Sequence, residues 1–199
     1  MLRKSNLTTR NQLPLLLNEK GLLGTAVEVG THQGDYASIF LERWEGNMLV
    51  CVDPWHIPPG YEHQMKFLWG DKNRDNDFQT CMDRLSRYEG RYCMMRMISV
   101  KASEHFEDHS LDFVYLDGDH RYKEVLKDLR AWWPKLKMGG ILAGHDVIMP
   151  NQSAEDDWPT GVQGALDAFF GLTTHHYDIN LIVEEDGLPW SFYLEKTHE

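Results

Sequence analysis

The chain has 199 residues and a formal net charge of −11, enough length for one domain with a substantial core and no need of disulfides or a structural metal. Its three cysteines, Cys51, Cys81 and Cys93, show no C-x-x-C spacing and read as reduced thiols of a cytoplasmic protein. The acidic balance, with lysine and arginine spread rather than clustered, argues against nucleic acid as a partner.

Residues 1–24 read as a helical appendage at the N-terminus of a single domain spanning residues 1–199. Its apolar run, Leu13 to Leu17, is interrupted by Pro14 and is too short for a signal-peptide core or a membrane span. Leu13, Leu15, Leu16 and Leu17 are expected to pack on their own domain, with a homo-oligomer contact as the alternative. Thr25 to Gly30 reads as the first strand, and Asp35 to Trp44 as a helix burying Tyr36, Ile39, Phe40 and Trp44. Met48 to Val52 is a second strand, closed by Asp53-Pro54. The stretch from Pro54 to Asp77, rich in Pro, Gly, His, Tyr and Trp, reads as a lid or substrate loop.

Gln79 to Tyr88 is predicted helical and Tyr92 to Val100 a third strand. Leu111 to Leu116 makes a fourth strand, followed by a helix from Tyr122 to Leu136 with Val125, Leu126, Leu129 and Trp133 on its apolar stripe. A fifth strand from Ile141 stops at His145-Asp146, ahead of a polar loop, Met149 to Pro159, and a helix, Val162 to Phe170. Tyr177 to Val183 and Trp190 to Leu194 read as a hairpin closing one edge. This alternation predicts an α/β fold: a Rossmann-like doubly wound sheet, mostly parallel, with a C-terminal antiparallel hairpin.

Chemistry concentrates at the predicted carboxyl ends of strands, where open α/β sheets bind ligands. In Val27-Glu28-Val29-Gly30-Thr31-His32-Gln33-Gly34, one glycine permits a sharp turn and the other a close approach to the helix N-terminus. The G-x-x-x-G spacing is not the G-x-G-x-x-G of dinucleotide enzymes. A glutamate inside the strand is costly to bury without partners, so Glu28 is expected to orient the turn. Asp53 can accept from both hydroxyls of a ribose, or else cap the turn beside Pro54. Asp117, Asp119, His120, His145 and Asp146 end two strands that should be neighbours. Oxygen ligands there can hold a divalent cation that acidifies a substrate hydroxyl; the alternative is that Asp119 and His120 only start a helix. Trp55, Tyr61 and Trp69 of the long loop are candidates to line an acceptor pocket.

Through the Glu28-x-Gly30-x-x-x-Gly34 turn, Asp53, Asp117 and the closing hairpin, the chain from about Thr25 to Lys196 resembles class I S-adenosylmethionine-dependent methyltransferases. The stretch Phe113 to His120, and Pro134-Lys135-Leu136-x-x-Gly139-Gly140-x-x-x-x-His145-Asp146, are similar to a small-molecule branch. That branch holds metal-dependent macrolide-sugar O-methyltransferases and, more distantly, catechol O-methyltransferases. The resemblance implies methyl transfer from S-adenosylmethionine to a hydroxyl of a small-molecule acceptor. It puts Gly30 and Gly34 against the methionine part of the cofactor, with Thr31 also among the cofactor-binding residues, Glu28 orienting the loop and Asp53 on the ribose. Trp55 would cover the adenine and Ser103 meet its edge, unless Trp55 is loop core and Ser103 a helix cap.

By the same resemblance Asp117, beside the cofactor, and Asp146 match metal ligands, and His120 matches a general base, with Asp119 next to it as a second catalytic candidate. His145 stands where the branch carries a carboxylate ligand. An imidazole there leaves the cation open among magnesium, manganese or similar ions, and leaves open that His145 is a base with no metal bound. Two other classes remain: an NAD-linked oxidoreductase, and a cofactor-binding protein without catalysis.

Overall fold

The computed structural model describes residues 2–56, 74–147, 161–171, 177–183 and 190–198. Among them one sheet holds β1 (Leu2–Lys4), β2 (Thr25–Val29), β3 (Met48–Val52), β4 (Tyr92–Met95), β5 (Leu111–Leu116), β6 (Leu136–Val147), β7 (Ile179–Ile182) and β8 (Trp190–Glu195). Their spatial order is β1-β7-β8-β6-β5-β2-β3-β4. Every neighbouring pair is parallel except the two made by β8, which runs antiparallel to β6 and to β7. The sheet is therefore mostly parallel with antiparallel pairing at its C-terminal strands, as the alternation predicts.

Side chains alternate along each strand, and both faces are covered. Val27, Val29, Val114, Leu116 and Leu142 face α5 (Tyr122–Trp132) and α6 (Gly161–Gly171), where Leu129, Trp132, Ala165 and Leu166 are fully buried. Ala26, Cys51, Phe113 and Ile141 face the other way, toward α1 (Leu13–Glu19), α2 (Asp35–Arg43) and α3 (Arg74–Leu85). There Leu13, Leu17, Phe40, Trp44 and Leu85 close the second core layer. Each such side chain contributes roughly 1.5–3 kcal/mol by leaving water.

The structure differs from the sequence reading at five places; the fifth predicted strand, for one, starts at Leu136 rather than Ile141 and runs to Val147. The N-terminal residues supply a strand as well as a helix: β1 pairs with β7, so β1 and not the hairpin is the edge on that side. α3 begins at Arg74 rather than Gln79, because Arg74 and Asp77 are buried polar residues that break the apolar period. The predicted strand Tyr92 to Val100 ends at Met95, and a short helix α4 (Ser99–Ser103) follows. The helix from Tyr122 stops at Trp132, since Pro134 cannot donate to an α-helical ladder and Trp133–Lys135 forms a 3-10 turn. Most of the expected lid, with Tyr61 and Trp69, and the loop Met149 to Pro159 lie outside the described residues. Among the described residues no helix is long and apolar enough to cross a membrane.

Candidate active site

The chain leaves β4 at one edge and returns to place β5 on the far side of β2, which makes the β2–β5 boundary a switch point. In register, Val29 pairs with Val52 and with Leu116, and Leu116 with Gly144, so β2, β3 and β5 end level while β6 runs on past them through His145 and Asp146 to Val147. At that level a cavity of about 730 Å³ opens, lined by Gly30, Asp53, Arg74, Ile98 to Lys101, Asp117 to His120, and Glu124, Lys127 and Asp128 of α5.

Gly30 makes the turn with φ +88°, and a Cβ there would stand 2.1 Å from the Asp117 carbonyl oxygen, so only glycine lets the ends of β2 and β5 meet this closely. Glu28 is buried on the α2 side of β2. Burial pushes its carboxyl up to about 8, the Asp117 charge adds to that, and the Thr31 hydroxyl and Arg10 work against it. Its Oε2 has no hydrogen-bond partner among the described residues. Thr31 is buried and its hydroxyl donates to the Glu28 carbonyl at 3.3 Å. Gly34 caps α2 against Cys81 and Leu85. Of the expected turn residues, Gly30 lines the cavity while Glu28, Thr31 and Gly34 stand behind it.

Asp53 lies on the cavity wall with its carboxylate firmly held. It accepts from the His32 N–H at 3.0 Å, the Trp55 N–H at 2.8 Å and Arg74 Nη2 at 3.1 Å. Arg74 is itself buried and reaches on to Asp77 at 3.6 Å. Trp55 is not over the cavity. Its backbone is left-handed (φ +45°), its Nε1 donates to the His32 carbonyl at 2.6 Å, and its fully buried ring meets Phe78 edge-on. Ser103 also faces inward, donating to the Val100 carbonyl at 2.8 Å, and Ser99, Val100 and Lys101 take the wall position expected of it.

The acidic and imidazole groups at the ends of β5 and β6 do converge. His120 Nε2 lies 3.4 Å from Asp117 Oδ1 and 3.3 Å from Asp146 Oδ2. Gly161 holds this segment: a Cβ there would stand 2.1 Å from the His120 carbonyl oxygen. Burial works to lower the His120 pKa, but its hydrogen bond to Asp117 and the carboxylates of Asp146, Asp117 and Asp119 outweigh it and raise the value. Burial likewise pushes Asp146 up, yet His145, at 3.0 Å, and the His120 charge hold it below the usual carboxylate range. The imidazole that joins Asp117 and Asp146 is therefore His120, and His145 contacts Asp146 from beside it. Asp119 faces the cavity but is gripped by Arg121, which donates from Nε at 2.9 Å and from its backbone N–H at 3.1 Å.

Two site residues carry no local sequence signal. Arg10, ahead of α1, donates to Tyr115 Oη at 3.2 Å and Asp117 Oδ2 at 3.1 Å, with its guanidinium 5.0 Å from the Tyr36 ring centre. Arg74, in the segment read as loop, neutralises Asp53. Only an unpaired-looking aspartate at the end of β3, in need of a cation, hints at it.

These strand ends fall within one matched region. The family model described as a methyltransferase domain matches residues 27–147, which is more than half of the chain and spans β2 to β6. The chain belongs to the methyltransferase domain family. Among curated relatives of this methyltransferase domain, an uncharacterized protein of Sinorhizobium fredii is 28% identical over 125 residues, covering 61% of this chain and 13% of the relative. An uncharacterized protein of Acanthamoeba polyphaga mimivirus is 24% identical over 124 residues, covering 61% of this chain and 51% of the relative. The chain thus spans about half the length of one curated relative and far less of the other.

Solved structures match over nearly the whole chain. An O-methyltransferase from Bacillus cereus in complex with S-adenosylhomocysteine has TM-score 0.66 and 14% identity, covering 94% of this chain and 80% of that one. The O-methyltransferase from Streptomyces achromogenes involved in tomaymycin synthesis, in complex with S-adenosylmethionine, has TM-score 0.64 and 14% identity, covering 94% and 79%. An rRNA methylase from Streptococcus thermophilus has TM-score 0.60 and 12% identity, covering 93% and 97%. At such identities the likeness establishes the Rossmann-like methyltransferase fold.

Proposed function

We propose that this methyltransferase domain moves the sulfonium methyl of S-adenosylmethionine onto a hydroxyl of a small-molecule acceptor. The observation that carries the reading is one continuous site: the cavity between Gly30, Asp53 and Asp117 reaches the Asp117–His120–Asp146 cluster. Gly30 would admit the methionine part close to backbone, and Asp53, already oriented by Arg74 and two N–H groups, would accept from the ribose hydroxyls. In the transfer an acceptor oxygen forms a bond to the methyl carbon as the carbon–sulfur bond breaks, and the sulfonium leaves as a neutral thioether. The acceptor's proton passes to the cluster, where His120 Nε2 is the basic nitrogen and Asp117 and Asp146 offset the charge it gains. Positioning supplies much of the rate, since the sulfonium is already a reactive donor.

Asp117, His120 and Asp146 also fit a divalent cation by donor chemistry, each offering one ligand atom, all within 4.8 Å of one another. A bound cation would supply charge that acidifies the acceptor hydroxyl, with His120 then a ligand rather than a base; an imidazole in the set suits manganese, iron or zinc better than magnesium. The net charge of −11 favours a neutral or cationic small acceptor over an RNA backbone.

The test is transfer of labelled methyl from S-adenosylmethionine to a panel of sugars, catechols and hydroxylated macrolides, alongside ribosomal RNA, with and without a chelator. Labelling of a hydroxyl that Asp117→Ala abolishes is the expected result. Labelling of RNA or of amines alone, or cofactor binding with no transfer to any acceptor, contradicts the reading. A chelator-sensitive rate restored by manganese would assign the cation role.

A further inference from the structure

A second, small cavity lies between the end of β5, α5 and α6. Its volume of about 10 Å³ is about the room that the centre of one water molecule needs. Gly118, Asp119, His120 and Asp128 form its polar wall, and the rest, with Val162 and Phe192, is apolar. Asp119 has little to offer there, since Arg121 Nε donates to both of its carboxylate oxygens, at 2.9 and 3.1 Å. Asp128 of α5, only 8% exposed, is a buried acid with no part in the transfer chemistry described above.

The Asp128 carboxylate is committed on one side. Ser99 Oγ donates to Oδ1 at 2.6 Å, and Trp132 Nε1 donates to Ser99 Oγ at 2.9 Å, which leaves the Ser99 hydroxyl its proton for Asp128. Ser99 borders the large cavity and not the small one. The second oxygen, Oδ2, makes no hydrogen bond among the described residues. Burial pushes the Asp128 carboxyl up to about 7, as expected of an acid short of donors. A buried polar oxygen beside a polar space of this size is where an internal water belongs.

We propose that a water seated in the small cavity joins Asp128 Oδ2 to His120, which makes Asp128 a positioning residue for the imidazole between Asp117 and Asp146. A space one water across brings the polar groups on its wall within reach of the same molecule. Asp128, itself fixed by Ser99 and Trp132, then holds the His120 ring from behind while the two carboxylates hold its front. Such an outer partner sets the orientation of an imidazole whether the ring takes a proton or ligates a cation. The inference rests on the methyl-transfer reading and deepens it.

The experiment pairs a crystal structure of the full chain with S-adenosylhomocysteine, at a resolution that shows waters, with turnover of the hydroxyl acceptor that the panel above yields. The wild type is expected to show a water within about 3.2 Å of Asp128 Oδ2 and in contact with His120. Asp128→Leu, apolar and of similar shape, is expected to expel the water and lower kcat by about 10- to 100-fold, with S-adenosylhomocysteine affinity changed far less. Asp128→Asn can still bind the water and should recover most of the rate. Val162→Leu fills the cavity from its apolar wall and leaves Asp128 in place, so the same fall in kcat is expected; a merely structural role for Asp128 would not produce it. A wild-type structure with no water there overturns the inference. So does wild-type turnover in both Asp128→Leu and Val162→Leu, or a loss confined to cofactor affinity. If the wild type methylates nothing on the panel, the methyl-transfer reading fails by itself, and the water and the position of the His120 ring in the variants still decide the inference.

Discussion

The Arg10 guanidinium lies 3.1 Å from the Asp117 carboxylate, so a residue ahead of the first helix completes a site built at the end of β5, 107 positions later. The same group donates to the buried Tyr115 hydroxyl. Arg10→Ala strands both partners in a place poor in water. The expected outcome is a loss of about 1–3 kcal/mol in unfolding free energy and a fall in methyl transfer on the order of 10- to 100-fold through misplacement of Asp117. Arg10→Lys should recover part of the stability but not the fork geometry. Urea denaturation and initial rates check both.

His120→Gln keeps a polar side chain between Asp117 and Asp146 and removes the basic nitrogen. Turnover is expected to fall by about 10²–10⁴-fold, with S-adenosylhomocysteine affinity changed far less. A comparable loss of affinity would mean that His120 holds the cofactor rather than the acceptor proton.

Glu28 gives a pH dependence of stability with a definite sign. Its folded value of about 8 lies above the ordinary value of 4.5. Between those values the folded chain keeps a proton that the unfolded chain has lost. This contribution to stability is full below about 4.5 and is lost as pH rises toward about 8. Glu28→Gln removes the titration, so its melting temperature should decline less than that of the wild type between those pH values and overtake it in the alkaline part. Parallel curves for the two proteins would contradict the burial argument.

Arg74→Ala leaves Asp53 buried and short of its cationic partner. Loss of one partner from such a pair is expected to cost roughly 3–5 kcal/mol. Ribose hydroxyls can replace part of what Arg74 supplied, so saturating S-adenosylhomocysteine should raise the melting temperature of Arg74→Ala by at least as much as that of the wild type. Thermal melts with and without the nucleotide measure this.

What could be read from the sequence was local. The first glycine turn, Asp53, Asp117 and the pair His145-Asp146 each follow an apolar strand within a few residues, and strand ends are where α/β sheets bind ligands. The edge strand β1 was hidden because three exposed residues, Leu2–Lys4, carry no apolar alternation. Arg10 and Arg74 were hidden because their partners are remote and nothing in their own neighbourhoods asks for burial. Trp55 reads naturally as a ring over a cofactor, but Asp53 accepts its N–H and its left-handed backbone turns the ring into the core against Phe78. His120 and His145 could not be ranked as partners of Asp146, since adjacency in sequence says nothing about which ring crosses from β5 to β6.

The most direct test of the cofactor assignment is calorimetric titration of the wild-type chain with S-adenosylmethionine and S-adenosylhomocysteine, with NAD as the control. The account predicts one site with micromolar affinity for both sulfur nucleotides, weakened in Asp53→Asn, and no heat from NAD. Binding of NAD with neither sulfur nucleotide bound would contradict it and turn the cavity over to a different nucleotide chemistry.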